Sequence, residues 1–192
     1  FRARLGEALV DIRLNIAGRH NVRNALAAAA CTLALGVPVE AIVRGLAAFE
    51  PVSGRLRRTH TAQGVPLIDD TYNANPDSMR AAIDVLADQP APRLMVMGDM
   101  GETGAQAEAF HREVGEYAVS RAIEQVWAVG KDMKAAAQAG GVQYWETVEA
   151  LLAEHPQAPA GIASILVKGS RFMKMERVVR AWAETASPQG EH

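Results

Sequence analysis

Four short apolar segments of this chain each end in residues that can take part in chemistry. These ends are, in chain order, Asp69-Asp70, Gly98-Asp99, Gly130-Lys131 and Lys168-Gly169-Ser170. A ligand that carries phosphate, or both a cation and an anion, would find partners among such groups. Asp and Gly are also common at strand ends because they form turns and cap helices, so one such end alone indicates little. Four together favour a binding site.

The densest polar segment is DDTYNANPDSM, residues 69–79. Helix-start chemistry accounts for its second half, with Asp77 or Ser78 as the predicted cap. It leaves four residues at the start of the segment without a role: Asp69, Asp70, Tyr72 and Asn73. A carboxylate, an aromatic ring and an amide suit a ribose hydroxyl, a stacking surface and the polar edge of a ligand.

A second candidate site lies in GRHNVRN, residues 18–24, before a predicted Ala-rich helix. It contains His20, Asn21 and Asn24, with arginines beside them. By itself the segment favours a simple interpretation, in which Asn21 caps the helix and the arginines are solvated. A helix N-terminus next to cations nevertheless attracts anions, so an anion site stays open.

A basic cluster, Arg55, Arg57 and Arg58, follows Ser53-Gly54, where a hinge could move Arg55. Three further histidines lack the spacing of metal ligands, and no metal is assigned to them: His60, His111 and His155. Phosphate-loop, dinucleotide-binding, zinc-protease and nucleophile-elbow motifs are all absent from the sequence. The residues alone therefore support a ligand-binding domain without a complete catalytic set of its own.

The elements that must position these residues follow a regular order after Leu56. Predicted strands over 65–70, 93–100, 126–130 and 163–170 alternate with predicted helices over 77–87, 105–120, 131–139 and 171–183. This order predicts an α/β fold, a Rossmann-like and mostly parallel sheet with helices on both faces. Ligands of such sheets bind at the carboxyl ends of the strands, where the four polar ends lie.

The first 50 residues show a different pattern. Alternating apolar residues over 10–16 predict a strand that belongs to a strand pair, and helices are predicted over 22–35 and 39–49. Pro51, Ser53 and Gly54 then break the helical pattern. We therefore place a domain boundary near residues 50–54.

Composition restricts the class of protein. The 192 residues carry a net charge of −2, which argues against a nucleic-acid binder, but residues 1–60 carry +5 and the rest −7. Cys31 lies in an apolar stretch and is predicted to be buried, so no disulfide is expected. No run is long enough to span a membrane and the start is unlike a signal peptide, so a cytoplasmic location is predicted. The chain begins with Phe1 inside a predicted strand pair, and we expect it to be a piece of a longer protein.

Five motifs, taken together, resemble the carboxyl-terminal part of a Mur ligase. They occur in the family's order over residues from about 15 to 185: GRHNVRNALAAAA, PVSGRL, IDDTYNANPDSM, VMGDMGETG and LVKGSR. The resemblance implies that residues 1–51 are the end of a central ATP-binding domain and residues 52–192 a Rossmann-like carboxyl-terminal domain. The family's phosphate loop, magnesium-binding acid and modified lysine should then precede Phe1. Thr103 departs from the family's usual aliphatic residue, with an expected effect on local packing only.

The same resemblance implies an activity. The motifs most resemble the family member that uses ATP with Mg²⁺ to join D-alanyl-D-alanine to UDP-N-acetylmuramoyl-tripeptide through an acyl phosphate, in peptidoglycan precursor synthesis. Such a reaction needs positioning and charge neutralisation more than a protein nucleophile. The expected partners are these substrates and the upstream domains of the same protein, which is expected to be a monomer. The 192 residues alone are expected to be inactive.

The resemblance also implies roles for individual residues. Arg55 is expected to be catalytic, reaching the ATP phosphates as a planar and permanently charged group. Six further residues are expected to bind ATP: His20, Asn21, Asn24, Asp70 for the ribose, and Tyr72 and Asn73 near the base. The acceptor dipeptide is expected near Asp99, Lys131, Lys168, Ser170 and Arg171.

Two alternatives remain open at this point. One is a nucleotide- or peptide-binding Rossmann-like module without catalysis. The other is a sister ligase of the same family that adds a different amino acid.

Overall fold

The computed structural model describes residues 1–183, so the last nine residues of the predicted second domain lie outside the described part. The chain divides into two compact units, Phe1–Val52 and a second unit that starts at Ser53. Within residues 1–183, no helix is both long enough and apolar enough to cross a membrane.

The first unit consists of a strand pair and two helices. Strands β1 (Arg2–Leu5) and β2 (Ala8–Asp11) pair antiparallel, and helices α1 (Arg19–Ala34) and α2 (Val39–Ala47) follow. Its small core contains Leu5, Ile12, Ala29 and Ile42. The predicted strand pair is present, but the strand is shorter than the apolar pattern over 10–16 suggested.

Two predictions for α1 are wrong. The residue that precedes the helix is Gly18, without a side-chain cap, and Asn21 lies inside the first turn. Its side chain donates from Nδ2 to the carbonyl of Ala17 and accepts with Oδ1 from the Asn24 side chain, so it caps no backbone N–H. Cys31 is exposed rather than buried, because this helix buries only Ala25 and Ala29.

The second unit is an α/β fold of the predicted Rossmann-like class. Its strands are β3 (Arg57–His60), β4 (Pro66–Asp70), β5 (Arg93–Gly98), β6 (Gln125–Val129), β7 (Val142–Trp145) and β8 (Ser164–Lys168). Its α-helices are α3 (Pro76–Ala87), α4 (Ala107–Ser120), α5 (Val148–Glu154) and α6 (Glu176–Trp182). Short 3₁₀ helices cover Gly104–Gln106, Asp132–Gln138 and Arg171–Met173.

The six strands form one sheet in the order β3-β4-β8-β5-β6-β7. All neighbours are parallel except β3, which pairs antiparallel with β4 at the edge. The central strands are buried on both faces, since helices cover both: α3 and α4 contact each other, and α5 contacts α6. The core on the side of α5 and α6 is large and includes Trp127, Trp145 and Trp182.

Several element boundaries differ from the predictions. Asn75, and not Asp77 or Ser78, caps α3; Ser78 bonds back to the Asn75 backbone and completes a capping box. The segment predicted as a helix over 131–139 is a 3₁₀ helix, and the closing segment divides into a 3₁₀ turn and α6. Strands β3 and β7 and helix α5 were not predicted. Strand β3 reads RRTH and mostly faces solvent, so it has no apolar pattern to detect.

Candidate functional site

The four polar strand ends lie along one edge of the sheet. Strands β4, β8, β5 and β6 are parallel neighbours, and their registers pair Asp70 with Lys168, Met97 with Lys168, and Gly98 with Val129. Because parallel strands end on the same side of a sheet, all four ends reach what we call the carboxyl edge. The structure thus brings together the groups that the sequence placed at four separate positions.

Residues at the end of β4 bind the segment that precedes β3, which includes Gly54. The backbone N–H of Gly54 donates to Oδ2 of Asp69 at 3.1 Å, and Gly54 accepts from the backbone N–H of Tyr72 at 2.9 Å. Gly54 has φ 76°, and a Cβ there would lie 2.9 Å from the Tyr72 nitrogen. Only glycine fits this contact without a backbone shift. Asp69 also accepts from the hydroxyl of Thr71, so its carboxylate is used within the protein.

Asp70 and Lys168 form a buried ion pair. Nζ of Lys168 lies 2.7 Å from Oδ2 of Asp70 and donates to the carbonyl of Asn73 at 2.8 Å. The two side chains are only 4% and 14% exposed, with Lys168 the less exposed. Oδ1 of Asp70 accepts from the backbone N–H of Leu56 at 3.1 Å. The predicted ribose-binding acid and one predicted acceptor-binding cation are therefore partners of each other.

Arg55 is exposed, and the residues on either side of it, Gly54 and Leu56, are hydrogen-bonded to Asp69 and Asp70 of β4. Its guanidinium carbon lies 4.2 Å from the centre of the Tyr72 ring, and Tyr72 is itself 47% exposed. A cation over an aromatic face at an exposed position gains about 0.5–1 kcal/mol. Asn73, the next residue in the chain, is exposed too. Three of the predicted nucleotide-binding residues in this unit, Arg55, Tyr72 and Asn73, thus have accessible side chains at one strand end.

Asp99, at the end of β5, is directed into the protein. The residue is 5% exposed, and its Oδ1 accepts from the backbone N–H of Met133 at 2.8 Å. Burial raises the pKa of this carboxyl, and the backbone N–H groups of Met133 and Asp132 oppose that rise. Gly130, with φ 123°, lies against the carboxylate, and a Cβ there would be 2.3 Å from Oδ1. Asp99 therefore holds the turn that follows β6.

Ser170 joins three segments of the carboxyl edge. Its Oγ accepts from the backbone N–H of Gly101 at 2.5 Å and donates to the carbonyl of Ala74 at 3.2 Å. The residue is only 2% exposed. Its two hydrogen bonds therefore fix the loops after β4, β5 and β8 relative to one another, away from competing water.

The other two predicted acceptor-binding residues face solvent. Lys131 is exposed at the end of β6, and Arg171 is exposed after β8, with Glu176 4.0 Å away. Beside Arg171, Phe172 is 62% exposed and its ring lies near Gly101. The sequence analysis missed Phe172; its position directly after the KGSR motif was the only signal.

His111 is a second residue whose role the sequence analysis missed. It is fully buried; its Nε2 accepts from the backbone N–H of Met100 at 2.9 Å, and its Nδ1 lies 2.6 Å from the carbonyl of Ala107. This arrangement fits a neutral ring with the proton on Nδ1. His111 follows Ala107 by four positions, about one helical turn, and that spacing could have indicated the contact.

The predicted residues of the first unit form a short hydrogen-bonded chain. Nδ2 of Asn24 lies 3.3 Å from Oδ1 of Asn21, and Nδ2 of Asn21 contacts the Ala17 carbonyl at 2.6 Å and Nε2 of His20 at 3.0 Å. Asn24 is exposed, while His20 and Asn21 are half-buried. The chain orients an exposed amide near the start of α1.

The carboxyl edge thus has an uneven distribution of charge. The acids that end its strands, Asp69, Asp70 and Asp99, are largely buried and hydrogen-bonded to backbone groups. The loops beyond them expose three cations, Arg55, Lys131 and Arg171, and the acids Glu102 and Asp132. The exposed cations can pair with a phosphate or a carboxylate, and the exposed acids with a cationic group. Among residues 1–183, no group of three or more His, Cys, Asp or Glu side chains is arranged to hold a metal ion.

Comparison with known proteins identifies relatives of this chain. Residues 54–171 match the family described as "Mur ligase, glutamate ligase domain". The UDP-N-acetylmuramoyl-tripeptide--D-alanyl-D-alanine ligase of Escherichia coli K12 is 45% identical over 181 residues, which cover 93% of this chain and 40% of that protein. The enzyme of the same name from Haemophilus influenzae is 38% identical over 88% of this chain and 38% of its own length. The chain therefore spans about two fifths of these relatives.

Solved structures agree. A crystal structure of MurF from Acinetobacter baumannii superposes with a TM-score of 0.83 at 38% identity, over 94% of this chain and 41% of that one. The MurF ligase of Thermotoga maritima, solved in complex with ADP, gives 0.77 at 25% identity over 91% of this chain and 40% of that one.

Proposed function

The chain belongs to the Mur ligase family, and on that premise we propose that it is the carboxyl-terminal part of a longer ATP-dependent ligase. The proposed reaction joins D-alanyl-D-alanine to UDP-N-acetylmuramoyl-tripeptide during synthesis of the peptidoglycan precursor. The choice of substrates is supported by two relatives that carry the name of this ligase and are 45% and 38% identical to this chain. The remaining three fifths of such a protein would supply the parts that this chain lacks.

The observation that carries the proposal is the position of Arg55. Its charge is exposed on the carboxyl edge of the sheet, and hydrogen bonds on both sides of it, at Gly54 and Leu56, attach its backbone to β4. In the proposed reaction the γ-phosphoryl group of ATP passes to the substrate carboxylate, with ADP as the leaving group. The acceptor amine then attacks the acyl carbon and expels phosphate. Negative charge spreads over the phosphoryl oxygens in the first step, and a fixed guanidinium stabilises it.

Other residues of this unit have proposed roles that fit their exposure. Tyr72 and Asn73 are exposed and are proposed to offer an aromatic ring and an amide to the base of the nucleotide. Asp70, whose side chain is 14% exposed, is proposed to accept a hydrogen bond from a ribose hydroxyl. The ADP bound to the Thermotoga maritima relative supports a nucleotide ligand. In the first unit, His20, Asn21 and Asn24 are proposed to contact ATP through the exposed amide of Asn24.

The acceptor dipeptide is proposed to bind along the rest of the carboxyl edge. Lys131 and Arg171 are exposed cations that can pair with its carboxylate. Asp99 and Ser170 are buried, so their share in acceptor binding is expected to be through the loops that they hold. Lys168, predicted with them, is buried too, and its ammonium is held by Asp70 and the Asn73 carbonyl.

Mg²⁺ accompanies ATP in this proposal, but the described residues of this chain do not fit it as ligands. Residues 1–183 contain no metal-binding group of carboxylates or histidines. Its ligands are therefore proposed to lie in the remainder of the longer protein.

The test uses the full-length protein that contains this chain. Phosphate release is measured with ATP, UDP-N-acetylmuramoyl-tripeptide and D-alanyl-D-alanine, and with each substrate omitted in turn. The proposal expects release only when all three are present, together with a product heavier than the tripeptide substrate by the dipeptide minus water. A panel of single amino acids in place of the dipeptide tests the sister-ligase alternative, and turnover with one of them instead would reject the proposed acceptor.

A second measurement addresses the non-catalytic alternative. If the full-length protein binds ATP in calorimetry but releases no phosphate with any acceptor of the panel, the chain is part of a binding module and the ligase proposal is wrong.

A further inference from the structure

Lys168 is the most deeply buried cation of the carboxyl edge, and its ammonium group is occupied by protein atoms. Nζ contacts Oδ2 of Asp70 at 2.7 Å and the carbonyl of Asn73 at 2.8 Å, with the side chain 4% exposed. A ligand could reach this ammonium only by displacing it from Asp70 and from the Asn73 carbonyl. Breaking a buried ion pair is costly, because its charges lose their interaction in a poorly solvated place. Direct binding of a substrate by Lys168 is therefore disfavoured.

The same ion pair continues towards Arg55. The Asp70 carboxylate that Lys168 holds with one oxygen accepts the backbone N–H of Leu56 with the other. Leu56 has φ 52°, in the left-handed region that a branched residue adopts only when its surroundings require it. The hydrogen bond from Leu56 to Asp70 is one such requirement. Lys168 thus lies two contacts away from the backbone of Arg55.

Lys168 also acts on the other side of the arginine. Its bond to the Asn73 carbonyl fixes the loop that carries Tyr72, whose ring lies 4.2 Å from the Arg55 guanidinium. In addition, the ammonium neutralises Asp70, whose negative charge would otherwise oppose an anion bound at Arg55. Lys168 therefore affects Arg55 in three ways. It holds the carboxylate that binds the neighbouring backbone, it fixes the loop of the Tyr72 ring, and it adds a positive charge nearby.

We propose that Lys168 is a positioning residue for the phosphate-binding Arg55, and not a ligand of the acceptor dipeptide. This inference rests on the proposed function and names how one residue of that site works. It predicts that the effect of Lys168 on the reaction passes through Arg55 and is seen with ATP.

The test is a double-mutant cycle in the full-length protein. Lys168→Met is expected to lower kcat/KM for ATP about 10- to 100-fold, because a displacement of about 1 Å in a positioning group can have that effect. The KM for the dipeptide is expected to stay within about twofold. In an Arg55→Ala background, Lys168→Met is expected to change kcat/KM for ATP less than about twofold, since the residue it positions is already gone. The exposed Lys134→Met is the matched control for loss of an ammonium group and is expected to resemble wild type.

A folding defect would be separated from this effect with a second variant. Lys168→Arg keeps a buried cation that can pair with Asp70. It is expected to recover part of the ATP activity that Lys168→Met loses, and to keep the KM for the dipeptide within about twofold. Circular dichroism and thermal unfolding confirm that each compared variant is folded.

The outcomes distinguish this inference from the proposed function. If wild type performs the ligation but Lys168→Met raises the KM for the dipeptide and leaves the use of ATP unchanged, Lys168 is an acceptor ligand and the inference is overturned. Full additivity of the Lys168 and Arg55 effects overturns it as well. If wild type performs no ligation, the proposed function itself has failed.

Discussion

Nε2 of the buried His111 accepts a hydrogen bond from the backbone N–H of Met100 at 2.9 Å. The other ring nitrogen lies 2.6 Å from the carbonyl of Ala107. One side chain on α4 therefore holds both ends of the loop that follows β5. The next residue, Gly101, donates in turn to Ser170, so this loop is part of the carboxyl edge of the sheet.

Replacement of His111 by Leu is expected to destabilise the protein by about 1–3 kcal/mol, because a buried N–H at Met100 loses its acceptor. Hydrogen exchange measured by mass spectrometry should show faster exchange of peptides that contain Met100. The control His60→Leu removes an exposed histidine of β3 and should leave the exchange of this loop unchanged. Equal protection of Met100 in His111→Leu and wild type would show that the hydrogen bond does not hold the loop.

Replacement of Gly130 by alanine is expected to destabilise the protein. A Cβ at this residue would lie 2.3 Å from Oδ1 of Asp99, and the backbone φ of 123° is itself unfavourable for alanine. Gly130→Ala should therefore lower stability by about 2–3 kcal/mol through strain and displacement of the carboxylate. Gly140→Ala is the matched control, because a Cβ there meets nothing within 4 Å. Thermal unfolding of both variants measures the difference, and similar melting temperatures would contradict this account.

Glu124 should contribute stability that depends on pH. Hydrogen bonds from the Arg93 side chain lower its pKa to about 2, from an ordinary value of 4.5. Because the folded-state pKa lies below the unfolded one, this stabilisation is present above pH 4.5 and is lost as the pH falls towards 2. Glu124→Gln is therefore expected to be less stable than wild type at pH 7, with a difference that shrinks between pH 4.5 and pH 2.

Urea unfolding across this range provides the measurement for Glu124. Glu146→Gln is the control, because that carboxylate is exposed. A Glu124→Gln difference that stays constant from pH 7 to pH 2 would show that the pair with Arg93 does not favour the ionised carboxyl.

Arg55→Ala is expected to reduce ligation by the full-length protein about 100- to 1,000-fold, the usual effect of removing one donor to developing charge. Arg55→Lys should recover only part of the rate, since an ammonium group keeps the charge but not the planar fork. Arg58→Ala is the control: this arginine is exposed on β3 and has no proposed role. Steady-state phosphate release measures all three variants. If Arg55→Ala has wild-type turnover, the proposed role of Arg55 in the reaction is wrong.

The fold could largely be predicted from the sequence because its central strands are buried on both faces. The runs that became β4, β5, β6 and β8 are continuously apolar and separated by helical patterns, which is how a covered parallel sheet is encoded. Elements outside that core gave weaker signals. Strand β3 consists mainly of exposed polar residues, and the end of α1 exposes Cys31, so hydrophobicity predicted neither correctly.

The sequence by itself determined which polar groups lie at the ends of the strands, where the site is proposed. It placed Asp70 and Lys168 in different roles, because it cannot show that β4 and β8, 98 residues apart, are neighbours in the sheet. Strand order and register decided that these two charges face each other at 2.7 Å, that Asp99 turns inward to Met133, and that Arg55 stays exposed. The physical reason is that a buried charge must find its partner inside the protein, and only the tertiary structure determines which groups are close enough to pair.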